Sequence, residues 1–153
     1  MNSEIKNNKQ KWTEATPNNI DELKKKANDK TSYKIRLQAV NNLKKYKCRQ
    51  SIDILWRLMM NDLVYSVKEE SFRALQSFGE KVTLPKKKKG HLIKEINKKV
   101  ISVGKSIEGD FDINKFKEKF KERYPEAYDV YLYEKKSKFE EWIVNIIKCA
   151  PKK

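Results

Sequence analysis

The chain has 153 residues, about the length of one domain, and its 36 Lys and Arg residues against 21 Asp and Glu give a net charge of +15. Apolar residues make up 38% of the sequence, enough for one modest core, but no run reaches the roughly 18 apolar residues of a membrane span. Four Gly and four Pro are too few for the many turns of an all-β fold, so we expect an all-α protein.

Apolar residues recur at helical spacing from residue 16 onward, whereas residues 1–15 are polar, show no period and predict a flexible N-terminal arm. Thr16-Pro17 is typical of a helix start, and Gly79 is typical of the residue that follows a helix. Polar residues separate the predicted helices. They cover about 16–28, 33–46, 49–60, 63–78, 91–103, 112–123, 125–132 and 139–150.

The first four predicted helices form two copies of one unit, because a shift of 32 residues superimposes their apolar positions. The matched positions are Ile20 and Ile52, Leu23 and Leu55, Ala27 and Met59, Ile35 and Val67, Arg36 and Lys68, Leu43 and Leu75, and Tyr46 and Phe78. A helix pair that cannot bury its own apolar face stacks on a neighbouring pair. The repeat therefore predicts an α-solenoid.

The second copy carries short motifs along its turn and second helix: Asn61-Asp62, Val67-Lys68, Ala74-Leu75 and Phe78-Gly79. This series resembles the second helix of a HEAT repeat, in which a turn Asp caps the helix. The resemblance covers about 16–80 and implies a short right-handed solenoid of two repeats, each shorter than the usual repeat of about 40 residues. It implies a fold and little about activity.

Residues 81–90 form a predicted basic linker that contains a run of four Lys at 86–89. Residues 91–150 form a predicted helical C-terminal extension. This extension is either a degenerate third repeat or a separate small bundle. Because no long flexible linker separates the two halves, we favour one continuous stack.

Two apparent motifs fail on inspection of their spacing. Gly104-Lys105 resembles the end of a P-loop, but Lys99 stands where that loop needs its first Gly. Asp110 and Asp112 resemble the start of an EF-hand loop, which lacks its Gly and its final Glu here, so one of them is better explained as a helix cap. No nucleophile, base and oxyanion site can be assembled, and we expect a protein that is not an enzyme.

The Cys and His content gives no chemistry of its own. Cys48 and Cys149 form no CxxC pair, which suits a reducing cytoplasm, and the polar N-terminus is not typical of a secretory signal peptide. Lys47 and Arg49 flank Cys48 and favour a lowered thiol pKa, but we interpret Cys48 as an ordinary small residue. His91, the single His, follows the Lys run and is a poor metal ligand, so we expect no metal and no cofactor.

The aromatic residues predict packing more than binding. Tyr124, Tyr128 and Tyr131 follow helical spacing, and we expect them to lie between helices and not to form a platform for stacked bases. Trp12 stands alone in the polar arm. It either fixes the arm onto the helices or anchors a partner.

Most of the positive charge lies in residues 29–109. In HEAT-type stacks the second helices line the concave side, and the resemblance implies that their cations meet there. The candidate residues are Lys34, Arg36, Lys44, Lys47, Lys68 and Arg73, continued by Lys87, Lys88, Lys94 and Lys98. A row of cations on rigid helices suits a phosphate backbone.

The alternative is that these side chains solvate the surface of a Lys-rich protein, and that Arg36 and Lys68 contact the turn Asp residues within the repeats. We weigh the two interpretations equally. If the surface binds a partner, the first hypothesis is a nucleic acid backbone. The second is a protein–protein adaptor or scaffold that holds an acidic partner protein. We expect neither a membrane nor a small-molecule substrate.

Overall fold

A computed structural model describes residues 12–87 and 90–150, and this part of the chain is all-helical apart from an isolated β-bridge between Thr13 and Tyr46. None of its helices is long and apolar enough to span a membrane. In chain order the helices are α1 (Ile20–Ala27), α2 (Tyr33–Leu43), α3 (Arg49–Asn61), α4 (Tyr65–Ser77), α5 (Ile96–Lys105), α6 (Ile113–Arg123), α7 (Pro125–Lys135) and α8 (Phe139–Lys148), with a 3-10 turn at Lys136–Lys138.

The described residues divide into two compact units. The first contains residues 12–29 and 33–87, and the second contains residues 30–32 and 90–150. Each unit buries its own set of apolar side chains. The first eleven residues of the predicted arm, and Lys88 and Lys89 of the predicted linker, lie outside the described residues.

The first unit consists of two helix pairs, α1 with α2 and α3 with α4. The first helices of the pairs, α1 and α3, contact each other, and so do the second helices, α2 and α4. Three of the seven matches made by the 32-residue shift are buried in both pairs: Leu23 with Leu55, Ala27 with Met59, and Leu43 with Leu75. The period in the sequence thus corresponds to equivalent core positions in two similar helix pairs.

The end of α4 confirms the expectation for Gly79. This residue has a φ of 91°, a conformation that strains any side chain with a Cβ. Its N–H donates to the Gln76 carbonyl at 2.9 Å, and the Glu80 N–H donates to the Leu75 carbonyl at 3.0 Å. These two bonds form a Schellman motif that satisfies the last carbonyl groups of the helix.

Trp12 fixes the start of the described chain onto the ends of α2 and α4. Its indole N–H donates to the Ser77 carbonyl at 2.8 Å, and its ring meets the buried Phe78 ring edge-on at 5.9 Å. Thr13 exchanges backbone hydrogen bonds of 2.8 Å with Lys45 and Lys47 just beyond α2. Of the two roles considered for Trp12, attachment to the helices is the one that the structure shows.

The second unit is built from α5 to α8, in which α6 packs on α5 and α7, and α8 packs on the same two helices. Phe120 lies at the centre of an aromatic cluster, with ring centroids 5.8 Å from Phe116, 5.6 Å from Tyr128 and 6.3 Å from Phe139. Tyr128 therefore packs between helices, as its spacing predicts.

Helix α5 begins later than its sequence suggests. The prediction starts it at His91, but the Leu92 and Ile93 N–H groups donate to the Tyr131 hydroxyl at 3.1 and 3.3 Å. Glu95 then takes a left-handed conformation, with a φ of 56°, directly before the helix. A tertiary contact to a distant hydroxyl thus replaces the first helical turn.

Helix α6 begins as predicted, with Asp112 as its cap. The Asp112 carboxylate accepts hydrogen bonds from the N–H groups of Asn114 at 2.9 Å and Lys115 at 3.3 Å. These two groups have no partner within the helix, so the carboxylate satisfies them. The spacing that resembles an EF-hand loop is therefore explained by a helix start.

Two glycines should respond to alanine in opposite directions. Gly104 lies within α5, where an added Cβ would meet Ile147 at an ordinary 3.5 Å. Gly104→Ala should raise the free energy of unfolding by about 0.5–1 kcal/mol, because alanine favours helix and restricts the unfolded chain. Gly79→Ala should lower it by about 1–2 kcal/mol, because its left-handed conformation disfavours a Cβ. Urea unfolding measures both changes, and a loss of stability in Gly104→Ala would contradict the packing described for α5.

Candidate functional site

Arg36 is buried, which corrects its assignment to a partner-binding surface. Its side chain is part of α2, is 5% exposed and points into the first unit. The guanidinium donates to both oxygens of the Asp62 carboxylate, from Nε to Oδ2 at 2.8 Å and from Nη2 to Oδ1 at 3.1 Å. Its Nη1 donates to the Asp29 carbonyl at 2.7 Å. Because these donors are directed inward, Arg36 holds the fold together and does not face a partner.

The Asp62 carboxylate connects this ion pair to the turn between α3 and α4. Asp62 is 9% exposed, and its Oδ1 also accepts the Val64 N–H at 2.9 Å. One carboxylate thus orders the turn of the second helix pair and binds a side chain from the first pair. The HEAT resemblance anticipates a contact between a basic residue and a turn Asp, and here Arg36 reaches the turn Asp of the following pair.

Three further candidate cations contact residues that are close to them in the sequence. The Lys68 ammonium donates to the Met60 carbonyl at 3.2 Å. Arg73 lies 4.0 Å from Glu69 and 3.8 Å from Glu70, and Lys98 lies 3.2 Å from Glu95. Exposed pairs of this kind stabilise a protein little, but the carboxylates reduce the local positive potential.

Two other candidate lysines contact aromatic rings, and two candidates belong to the second unit. Lys47 places its ammonium 4.8 Å from the centre of the Trp12 ring, and Lys87 lies 5.8 Å from the Tyr65 ring. Lys94 and Lys98 are exposed and belong to the second unit. Lys88 lies outside the described residues. The ten candidates thus do not form one continuous row within the first unit.

The exposed face of α2 is the feature that the structure does bring together. Lys34, Gln38, Asn41 and Lys45 are all exposed and follow one another at i, i+4, i+7 and i+11. Lys34, Gln38 and Asn41 lie on one side of α2 at this spacing, and Lys45 follows in the turn just beyond the helix. We call these four residues the α2 stripe.

Hydrogen-bonded turns continue the chain from the end of α2 to Lys45, the last residue of the α2 stripe. The Lys44 N–H donates to the Val40 carbonyl at 3.0 Å, and the Lys45 N–H donates to the Asn42 carbonyl at 3.2 Å. Lys44 is exposed beside the stripe. Lys34 and Lys44 were predicted from the sequence, whereas Lys45 and the two amides were not, although helical spacing from Lys34 could have identified them.

The α2 stripe has a single sign of charge. Helix α2 contains no Asp or Glu, so Lys34 has no carboxylate partner on its own helix. Two cations flank two amide side chains, which both donate and accept hydrogen bonds. This arrangement can bind a ligand with several anionic and hydroxyl groups. It carries no acid–base pair for catalysis.

A groove of about 770 Å³ in the second unit offers no comparable arrangement. It lies along the outer side of α6 and mixes Glu108, Glu118 and Glu122 with Lys115 and Lys119. Opposite charges alternate on this helix face, which is typical of a solvated surface. Within residues 12–87 and 90–150, no group of three His, Cys, Asp or Glu side chains is placed to hold a metal ion.

Cys48 caps the N-terminus of α3 with its sulfur. The Sγ accepts a hydrogen bond from the Ser51 N–H at 3.5 Å and lies 3.3 Å from the Ser51 hydroxyl. Partial burial raises the pKa of the Cys48 thiol, but hydrogen bonds from Ser51, Thr16 and the Gln50 backbone together hold the pKa below its ordinary value. The pKa of Cys48 is thus lowered by hydrogen bonds, that of the Ser51 hydroxyl above all, and not by the flanking Lys47 and Arg49.

Removing the buried carboxylate should destabilise the first unit strongly. We expect Asp62→Ala to cost about 3–5 kcal/mol, because Arg36 would remain buried without its partner. In the double variant Arg36→Met with Asp62→Ala the loss should be smaller than the sum of the two single losses. Urea unfolding measures all four proteins. Arg73→Met, which breaks exposed pairs only, is the control and should cost less than about 1 kcal/mol. Equal losses of stability in Arg73→Met and Asp62→Ala would contradict a buried ion pair between Arg36 and Asp62.

The Ser51 hydroxyl should set the reactivity of Cys48. In a chain with Cys149→Ser, the pH dependence of alkylation by iodoacetamide gives the pKa of Cys48. Ser51→Ala should shift the midpoint to higher pH, because the thiolate loses a donor while the neutral thiol is little affected. Ser66→Ala, a change on α4, is the control and should leave the midpoint in place. An unchanged midpoint in folded Ser51→Ala would show that the hydroxyl does not stabilise the thiolate.

The chain matches no protein family, no curated protein and no solved structure. The resemblance of residues 16–80 to HEAT repeats therefore stays a prediction from their motifs. What can be inferred about function rests on the side chains of the chain itself, and the α2 stripe combines exposed cations and amides without a carboxylate.

Proposed function

We propose that this chain is a non-catalytic, HEAT-like binding module that engages a nucleic acid backbone through the α2 stripe and Lys44. The observation that carries the proposal is the exposure of Lys34 on a helix without carboxylates, and of Lys44 and Lys45 in the turn that follows it. Such cations attract phosphates and release condensed counterions when they bind them. The two unpaired cysteines suit a cytoplasmic protein.

Rigid placement of the cations supports the proposal. Helix α2 packs on α1 and on α4, and Arg36 anchors its opposite side to Asp62. Eleven residues separate Lys34 from Lys45, which places their Cα atoms about 16 Å apart along the helix. Lys34 and Lys45 are therefore far enough apart to contact two separate phosphates of one nucleic acid.

The packing of like helices supports the repeat part of the proposal. Contacts of α1 with α3 and of α2 with α4 are those expected when two HEAT-like pairs stack. The second helix of the first pair then carries the α2 stripe. Phosphate contacts position a protein without reading sequence, so we expect binding with little sequence preference.

The salt dependence of binding tests the proposed function. With three lysines on phosphates, a plot of log K against log salt for duplex binding should have a slope of about −2.7. The triple variant Lys34→Gln, Lys44→Gln and Lys45→Gln should lose most of the affinity and most of this slope. Fluorescence anisotropy with a labelled duplex of mixed sequence measures both quantities.

A matched variant separates the site from the total charge. Lys24→Gln, Lys25→Gln and Lys81→Gln remove three exposed cations elsewhere in the first unit and should leave most of the affinity intact. No binding of duplex or single strand at low salt would refute the proposal and favour an acidic protein as the partner. An equal loss in both triple variants would show that the α2 stripe is not the site.

A further inference from the structure

We propose that the partner of the α2 stripe is double-stranded RNA, contacted across its shallow minor groove, with Lys34 and Lys45 on phosphates and Gln38 and Asn41 on 2′-hydroxyl groups. This inference rests on the proposed function and names the class of nucleic acid. It follows from how little of α2 protrudes and from the order of side chains along the stripe.

Helix α2 is embedded in its surroundings. Of its 11 residues only Lys34, Gln38 and Asn41 are exposed, and each belongs to the α2 stripe. The other residues are buried or half-buried, because α1 and α4 pack against the helix. The helix therefore exposes a line one residue wide, and the rest of its surface is largely covered.

A helix that is covered on most sides fits some grooves and not others. The major groove of B-form DNA is about 8.5 Å deep, so a helix reads it only by entering it, and its minor groove is only about 6 Å wide. The minor groove of A-form RNA is wide and shallow, and it displays 2′-hydroxyl groups between the two phosphate backbones. A single line of exposed side chains can reach those groups without insertion of the helix into a groove.

The order of side chains along the stripe matches this groove. The lysines stand at the two ends, where the phosphates that border a groove would lie, and the amides stand between them. A phosphate oxygen only accepts hydrogen bonds, whereas a 2′-hydroxyl both donates and accepts. Gln38 and Asn41 each carry a donor and an acceptor, so they are suited to the hydroxyl more than to the phosphate.

The experiment compares nucleic acids of one sequence on the full chain. Fluorescence anisotropy is measured with a 20-base-pair RNA duplex, the same duplex as DNA, the same duplex with 2′-O-methyl groups, and one single RNA strand. We expect the RNA duplex to bind about tenfold more tightly than the DNA duplex, because two amide contacts each contribute a few-fold. The 2′-O-methyl duplex keeps the A form but loses the hydroxyl donors, and we expect it to bind more weakly than unmodified RNA.

Variants assign this preference to the amides. Gln38→Ala with Asn41→Ala should bring the RNA and DNA affinities close together while leaving the salt slope unchanged. Asn61→Ala with Gln76→Ala, two exposed amides of α3 and α4, is the matched control and should keep the preference for RNA. All four substitutions are at exposed positions, and thermal unfolding verifies that the variants fold.

The outcomes separate this inference from the proposed function. Equal or tighter binding of the DNA duplex or of the single strand would overturn the inference and leave a nucleic acid binder. Insensitivity of binding to 2′-O-methylation would also overturn it. No binding to any of the four probes would refute the proposed function and this inference together.

Discussion

The ion pair between Arg36 and Asp62 is the interaction on which the first unit depends. It is buried, its two short bonds use both oxygens of the carboxylate, and it joins α2 to the turn between α3 and α4. Because Arg36 points inward, the residues on the opposite side of α2 point outward. The same contact therefore holds the two helix pairs together and sets the rotation of α2 that exposes the α2 stripe.

Local patterns in the sequence were enough to predict most of the helices. Apolar spacing, the 32-residue shift, the Gly79 helix end and the Asp112 cap each depend on residues close in sequence, and the structure agrees with them. The predicted start of α5 was wrong because the backbone N–H groups of Leu92 and Ile93 donate to the hydroxyl of Tyr131, about forty positions further along the chain. No local pattern contains that contact.

The candidate site could be predicted only in part, for the same reason. Charge alone does not distinguish a lysine on an open helix face from an arginine whose partner is 26 residues away, as Asp62 is from Arg36. The carboxylates near Arg73 and Lys98 lie one helical turn away, so helical spacing could have identified them, whereas the Trp12 ring near Lys47 becomes visible only in three dimensions. The net charge of +15 therefore says little about the α2 face, where Lys34, Lys44 and Lys45 are exposed cations.

We propose above all that a nucleic acid contacts α2 and the turn after it, and not the basic surface in general. Lysine acetylation followed by mass spectrometry, on the full chain with and without a saturating RNA duplex, tests this directly because it reports each exposed amine separately. We expect the duplex to protect Lys34, Lys44 and Lys45, while Lys24 and Lys25 of α1 react at the same rate in both states. Equal protection of the α1 lysines, or protection confined to the second unit, would contradict this proposal.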